Sequence, residues 1–272
     1  MSYPKLPTNS QHLRQLITKW SADEGEPSYG RLQRLVGVTV VAAMLDGLRD
    51  DDGRERIGYK GGSALELRFG FAARASRDLD AAFRGNLDEA LDLITEALQR
   101  GWNGFTGVLG EPEDITRAGI EPPPVRVKIK LSYVGKPFMT IPFEISAAEG
   151  RSLDRLEKEP SAVSLARVQL PDPDGITFLP LRYQIAQKLH ACTEPGTGER
   201  VNDRARDLHD LLLIEELGVS DRDLPGVREA CIEIFDRRAR HGWPPVVSAP
   251  AGWGPIWAPI RGHDHDSLRG GR

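Results

Sequence analysis

Residues 57–83 read IGYKGGSALELRFGFAARASRDLDAAF, and this stretch decides the fold class. Its first four residues suit a short strand that runs into the turn Gly61-Gly62-Ser63. A helical stretch opens at Ser63 and ends near Gly70, and residues 79–83 suit a second strand. The order of strand, glycine turn, helix and strand predicts a mixed α/β unit.

An Asp-x-Asp pair stands at the start of the second strand. Residues two apart in a strand point to one face, so Asp78 and Asp80 would project together while Leu79 packs on the other side. Two carboxylates this close repel each other unless a cation separates them, and Mg²⁺ prefers oxygen ligands. The pair therefore predicts a metal site. The alternative is a loop pair that caps the next element or binds Arg74 and Arg77.

The glycine turn favours the metal interpretation, because it supplies a place for phosphate. Gly61 and Gly62 let the backbone approach a phosphate closely, and the following helix N-terminus offers unpaired N–H groups. Ser63 with Glu66 also forms a capping-box pattern, and one serine can serve both roles. No Gly-Lys-Ser/Thr follows, so the turn is not a P-loop.

Periodicity predicts the elements on either side of this stretch. The apolar segment 31–48 indicates a buried helix, and Asn86 with Glu89 indicates a capped helix that Gly101 ends. Residues 125–133 and 139–145 alternate as the two strands of a hairpin. Beyond the break at 171–175 the pattern is helical, and from Trp243 onward it is irregular.

These elements predict an α/β (α+β) fold in two parts. A mixed-sheet lobe would occupy residues 1–174, and a helical lobe would occupy residues 175–272, with a cleft between them. The cluster from His263 to Asp266 falls in the irregular tail, where we expect solvated side chains.

A third carboxylate for the metal site is expected from a neighbouring strand. Glu144 lies on the polar side of its strand, opposite the alternating apolar residues, and is the candidate. Two alternatives stay open, since Pro142 suggests an edge strand and Glu144 could pair with a lysine across the hairpin. The polar side of the other strand carries Arg126, Lys128 and Lys130, which would form either an RNA-backbone track or a solvated face.

The later helices supply a lysine and stacked carboxylates. Lys188 falls on the apolar stripe of its helix, so it must pair, snorkel to solvent or line a cleft. In the next helix Asp203, Asp207 and Asp210 would stack on one side, where metal, neighbouring arginines or Lys188 could compensate their repulsion. We rank Asp210, which can be structural, below Asp207.

The composition limits where the protein can act. The 272 residues are 39% hydrophobic and 28% charged, as in an ordinary soluble globular protein, and no apolar run of about 18 residues predicts a membrane span. The N-terminus lacks a signal-peptide core, and the two cysteines form no disulfide or zinc pattern, so we expect a cytoplasmic location. A formal net charge of -4 rules out a global basic field for nucleic acid but not a local basic patch.

The segment YKGGSALELRFGFAARASRDLD, with RYQIAQKLHA and RARDLHDLLLI further on, resembles the AbiEii-like nucleotidyltransferase toxins of bacterial type IV toxin–antitoxin and abortive-infection systems, a group with mycobacterial members. The resemblance covers roughly residues 59–217, and it implies that the mixed-sheet lobe of residues 1–174 is a nucleotidyltransferase-like catalytic lobe. It implies that Gly62 and Ser63 form the phosphate turn and that Asp78 and Asp80 hold metal. It also implies that Lys188 contacts the triphosphate and that Asp207 is the late catalytic carboxylate.

The resemblance further implies a function. We expect a Mg²⁺-dependent enzyme, with Mn²⁺ as an alternative metal, that adds nucleotides from an NTP to an RNA 3′ end. The expected acceptor is tRNA, whose modification would block translation, and a cognate antitoxin would neutralise the protein. An alternative acceptor is a protein or small-molecule hydroxyl. A degenerate nucleotide-binding module is a third reading, against which both Asp-x-Asp carboxylates argue.

Overall fold

A computed structural model describes residues 5–25, 27–114, 122–196, 202–250, 252–255 and 257. Its α-helices are α1 (Ser10–Glu24), α2 (Tyr29–Leu45), α3 (Gly61–Phe69), α4 (Leu87–Arg100), α5 (Leu181–Thr193), α6 (Ala205–Leu217) and α7 (Leu224–Arg238). Its strands are β1 (Ile57–Lys60), β2 (Leu79–Phe83), β3 (Phe105–Leu109), β4 (Glu113–Asp114), β5 (Val125–Tyr133), β6 (Lys136–Ala147), β7 (Glu157–Glu159) and β8 (Ile176–Phe178). The predicted mixed α/β class is confirmed.

The strands form one mixed sheet in the order β3-β5-β6-β2-β1-β8-β7, with β4 paired to β5. The central strand β2 is parallel to β6 and antiparallel to β1, while β1 is parallel to β8. The β5–β6 pair is the predicted hairpin. As a result, the Asp-x-Asp strand has the end of β1 on one side and the polar positions of β6 on the other.

Helix α2 is buried on nearly all sides and packs on one face of the sheet. Its N-cap is Ser28, whose hydroxyl accepts a hydrogen bond from the N–H of Arg31 at 3.4 Å. Gly37 has no side chain because Met139 and Ile141 of β6 occupy that space. The helix predicted over residues 31–48 is therefore confirmed, with its bounds shifted toward the N-terminus. Together with α1 and α4 it covers the apolar side of β5 and β6.

The start of α3 corrects the predicted capping box. The helix begins at Gly61 and its N-cap is Lys60, with no side-chain capping hydrogen bond. Glu66 is fully buried and forms ion pairs with Arg31, at 2.7 Å, and with Arg34. Buried guanidinium groups bind this carboxylate more strongly than a backbone N–H would, so it turns away from the helix start.

Two strand predictions also need correction. Pro142 does not mark an edge strand, since β6 lies between β5 and β2. The proline is tolerated because pairing with β2 begins only at Phe143, one residue later. The chain after residue 175 is not helical from the outset. Residues 176–178 are buried and form β8, a strand too short to show a period.

The helices α5, α6 and α7 follow β8 along the chain. The side-chain amide of Asn202 donates to the carbonyls of Ala191 and Glu194 near the end of α5, at 2.9 and 2.8 Å. Trp253 is buried against Cys192 and donates its indole N–H to the Asn202 carbonyl at 2.7 Å. Part of the irregular C-terminal stretch is therefore packed, while residues 263–266 lie outside the described residues. The division into lobes at residue 174 stays a prediction.

None of the helices in the described ranges is long and apolar enough to cross a membrane.

Candidate active site

One row of the sheet carries four charged residues on neighbouring strands. Lys60 of β1 pairs in register with Asp80 of β2, Asp80 with Glu144 of β6, and Glu144 with Arg126 of β5. Residues paired in register point to the same face of a sheet. The row thus reads cation, carboxylate, carboxylate, cation, and it places Glu144 beside Asp80.

Asp78 is held by its backbone just before β2 begins. The buried hydroxyl of Ser63 donates to the Asp78 carbonyl oxygen and accepts a hydrogen bond from Arg34 at 3.2 Å. The negative charge of Asp78 in turn favours the charged form of Arg34, although burial lowers the pKa of this arginine to about 10. The Ser63 hydroxyl therefore joins the start of α3 to the residue that opens the Asp-x-Asp pair.

Asp80 lies in an environment that disfavours its charge. Burial, followed by repulsion from Glu144, raises the pKa of Asp80 to about 6, and Asp78 adds to this effect. The charges of Lys60 and Lys188 act in the opposite direction but do not offset it. This site therefore stabilises the ionised Asp80 fully only when further positive charge is present.

Lys60 is the cation that β1 contributes to this row. Its Nζ donates to the Ser146 hydroxyl at 2.7 Å. Burial lowers the pKa of Lys60, against the attraction of Glu149 and Asp80. Lys60 was not among the residues predicted for the site, and the alternation of its short strand gave no sign that its half-buried side chain would lie among acidic groups.

A second charged cluster joins α5 to α6. Lys188 is buried, and its Nζ donates to Asp210 at 2.7 Å and to Asp207 at 3.0 Å. Burial alone would lower the pKa of Lys188, but the two carboxylates together raise it. Snorkelling to solvent is thus excluded. The repulsion predicted for the stacked carboxylates is compensated by Lys188, while Asp203 lies before the first residue of α6.

Arg74 connects this cluster to the glycine turn. Its guanidinium forms two hydrogen bonds to Asp210, both at 2.8 Å, and a Cβ added at Gly62 would lie 3.1 Å from its Nη2. Although burial opposes it, attraction to Lys188 and Arg74 lowers the pKa of Asp210 far below the usual range. Arg74 therefore pairs with Asp210 and not with the Asp-x-Asp residues.

We refer to Asp78, Asp80 and Glu144 as the sheet wall, and to Lys188, Asp207, Asp210 and Arg74 as the helix wall. The glycine turn lies between the two walls: a Cβ at Gly61 would collide with Asp80 of the sheet wall, and one at Gly62 would lie 3.1 Å from Arg74 of the helix wall.

The glycine turn lies directly against the sheet wall. Gly61 has a φ of 71°, and a Cβ there would collide with the Asp80 carboxylate, so both backbone and packing require glycine. The first turn of α3 has no side-chain cap, which leaves its N–H groups available to an anion. The hydroxyl of Ser63 is already engaged, so any phosphate contact made by this residue would come from its backbone.

The sheet wall fits Mg²⁺ in its chemistry. It offers hard oxygen donors on adjacent strand positions, and the raised pKa of Asp80 reflects repulsion that a cation would relieve. In the described part of the chain, no three acidic, histidine or cysteine side chains already stand close enough to enclose a metal. Glu144 forms an ion pair with Arg126 at 3.2 Å. The sequence had left open a pairing of Glu144 with a lysine across the hairpin, and the structure has this pairing with an arginine instead.

A family model named nucleotidyl transferase AbiEii toxin, type IV TA system, matches residues 43–264. The chain belongs to the AbiEii family. This AbiEii protein is accordingly a nucleotidyltransferase of a type IV toxin–antitoxin system, which confirms the resemblance seen in its sequence. Membership also establishes an NTP as substrate, a divalent metal as the usual cofactor and an antitoxin as partner.

A solved structure agrees with this AbiEii fold, and a second aligns more weakly. The nucleotidyltransferase toxin MenT4 of Mycobacterium tuberculosis H37Rv aligns with a TM-score of 0.57 and 18% identity, over 92% of this chain and 88% of that chain. The antibiotic-resistance factor ANT(2'')-Ia aligns with a TM-score of 0.38 and 14% identity, over 76% of this chain and 92% of that chain. No curated protein sequence matches significantly.

Proposed function

We propose that this AbiEii protein transfers nucleotides from an NTP to the 3′ end of RNA in the cytoplasm, with tRNA as the acceptor, and so blocks translation. The observation that carries the proposal is the pair Asp80 and Glu144, side by side on β2 and β6 and within reach of the Lys188 charge. Such a site suits in-line displacement at phosphorus, which needs charge neutralisation and positioning above all.

Asp78, Asp80 and Glu144 would hold Mg²⁺, or Mn²⁺ in its place. The bound metal supplies neutralisation of phosphate charge and lowers the pKa of a coordinated hydroxyl. Gly61 packs directly on the Asp80 carboxylate. The sheet wall would therefore hold the positive charge of the metal next to the glycine turn. Binding would require Glu144 to exchange its contact with Arg126 for the cation.

The backbone of Gly61, Gly62 and Ser63 would bind the β- and γ-phosphates at the start of α3. Lys188 would neutralise the charge that builds on the leaving pyrophosphate, held in position by Asp207 and Asp210. The RNA hydroxyl oxygen would attack the α-phosphorus, the bond to pyrophosphate would break, and Asp207 would accept the hydroxyl proton.

An acceptor assay tests the proposal. The protein is incubated with each labelled NTP in turn, together with total RNA and total protein, and the tRNA fraction is resolved by length on a gel. We expect label in tRNA, lengthened at the 3′ end, and none with Asp80→Ala. Label confined to protein or to a small molecule would support the alternative acceptor, and a fully active Asp80→Ala variant would overturn the site.

The antitoxin can be tested separately. A small gene encoding a DNA-binding protein is expected upstream, and its co-expression should restore growth of cells that produce the toxin. Failure of every neighbouring gene to restore growth would count against neutralisation by a genomic neighbour.

A further inference from the structure

The polar face of β5 is exposed, although its other face is covered by the core. Val127, Ile129 and Leu131 are buried, while Lys128 and Lys130 between them are exposed. Their partners in register are Pro142 and Thr140 of β6, with Val108 of β3, 64% exposed, beside Lys130. This part of the sheet therefore presents an open face to solvent.

The exposed cations on this face form a line that ends at the sheet wall. From the outer end the line runs Lys130, Lys128, Arg126, and we call these three residues the basic strip. Side chains two apart on a strand are separated by about 7 Å, which is comparable to the distance between successive phosphates in an extended single strand. Arg126, at the inner end, contacts Glu144 at 3.2 Å.

We infer that the basic strip binds the phosphate backbone of the acceptor RNA as a single strand, with its 3′ end at Glu144 and the preceding phosphates at Lys128 and Lys130. This inference rests on the proposed RNA acceptor. It adds the path that the RNA strand follows on the protein and the direction in which the strand runs. Single-stranded nucleic acid is commonly bound by a positive groove that follows the backbone.

Charge complementarity favours RNA over a protein on this face. The chain is acidic overall, with a formal net charge of -4. Three cations in a line on one strand therefore make this face locally more positive than the chain as a whole. Lys128 has only a weak restraint, an ion pair of 3.4 Å with Glu113 in which both side chains are more than half exposed. Such exposed pairs contribute little to stability, so Lys128 can exchange Glu113 for phosphate at little cost.

The test uses Lys128→Gln with Lys130→Gln and a labelled single-stranded RNA of about 12 nucleotides. Affinity is measured by fluorescence anisotropy at several salt concentrations. We expect RNA affinity to fall roughly tenfold, and the slope of log affinity against log salt to fall by about 1.4, because two phosphate contacts are lost. The KM for NTP should not change.

Two matched variants serve as controls. Lys128→Arg with Lys130→Arg keeps both charges and should bind RNA like the wild type. Lys19→Gln with Arg222→Gln removes two exposed charges elsewhere and should also leave RNA affinity and its slope unchanged.

The outcomes separate the two ideas. If the wild type labels RNA but the glutamine variant keeps its affinity and slope, the basic strip is overturned and the proposed function stands. If the wild type labels only protein, the proposed function fails, and an unchanged anisotropy slope would overturn the strip as well. A glutamine variant that binds RNA normally but loses the antitoxin would assign this face to the protein partner and would also overturn the inference.

Discussion

The two walls of the site differ in their electrostatics, although the same glycine turn lies against both. In the helix wall each buried carboxylate meets a cation, and Lys188 and Arg74 both contact Asp210 at hydrogen-bond distance. In the sheet wall Asp80 lies beside Glu144, and its pKa is raised to about 6. In the helix wall the cations of the chain compensate the carboxylates, whereas in the sheet wall Lys60 and Lys188 do not offset the burial and repulsion that act on Asp80.

This difference separates stability from catalysis. Charges that are paired inside the protein hold elements together, so the helix wall should matter to folding as well as to activity. Charges that repel each other reduce stability and persist where a ligand uses them, so the sheet wall should matter to activity alone. The predictions below test this division, from the largest expected effect to the smallest.

The largest effect is expected for Asp80→Asn. Nucleotide transfer should fall by about three orders of magnitude or more, because a metal ligand is lost. The free energy of unfolding should rise or stay constant, because the repulsion from Glu144 disappears. Transfer assays and urea denaturation of the same preparation measure both. A marked loss of stability would show that the sheet wall also supports the fold.

Asp210→Asn should mainly affect stability. It leaves Lys188 and Arg74 facing a neutral group in a buried site, which should lower the free energy of unfolding by about 3 kcal/mol. Asp207→Asn is the matched change, since Asp207 is more exposed, and it should cost about 1 kcal/mol while reducing transfer more strongly. Equal stability losses in the two variants would contradict this ranking.

A smaller effect is expected for Ser63→Ala, which removes the donor to the Asp78 carbonyl. The kcat should fall roughly tenfold, as for one lost hydrogen bond in the site, while the KM for NTP changes by less than about twofold. A large rise in the KM for NTP with unchanged kcat would show instead that the hydroxyl contacts phosphate.

The smallest effect concerns His190, which lies on α5 behind the helix wall. Burial, then the charge of Arg238, lowers the pKa of His190 to about 3, and neither ring nitrogen has a hydrogen-bond partner among the described residues. The unfolded histidine binds a proton near pH 6.5 and the folded one does not, so stability is lost as pH falls from 6.5 toward 3. The urea midpoint should decline over this window, and less in His190→Leu. If the urea midpoint declined equally with pH in the wild type and in His190→Leu, His190 would not be the source of this pH dependence.

Long segments with a clear pattern could be predicted from the sequence, whereas very short ones could not. The helix after Asn86 and the β5–β6 hairpin are recovered because each shows its period over several turns or residues, and α2 is recovered because its apolar run has the length of a buried helix. The strand β8 has three residues and no readable period. At such a length, only the pairing with neighbouring strands, here β1 and β7, distinguishes a strand from a helix.

The candidate site divides in the same way. Asp78, Asp80, Lys188 and Asp207 could be found from local motifs and from the family resemblance. Lys60 and Arg74 could not, because their roles depend on which distant element packs against them. The capping box of Ser63 and Glu66 failed for that reason too, since the arginines of α2 bind Glu66 in the fold.

The strand order has a consequence for a cell that makes this toxin. Asp78 and Asp80 leave the ribosome early, but β6 with Glu144 comes much later, and Lys188 and Asp207 later still. A growing or prematurely ended chain that stops before β6 therefore carries two aspartates without their third partner or the opposing cation. The proposed site is therefore complete only after most of the chain has been made, which would give an antitoxin time to meet the protein.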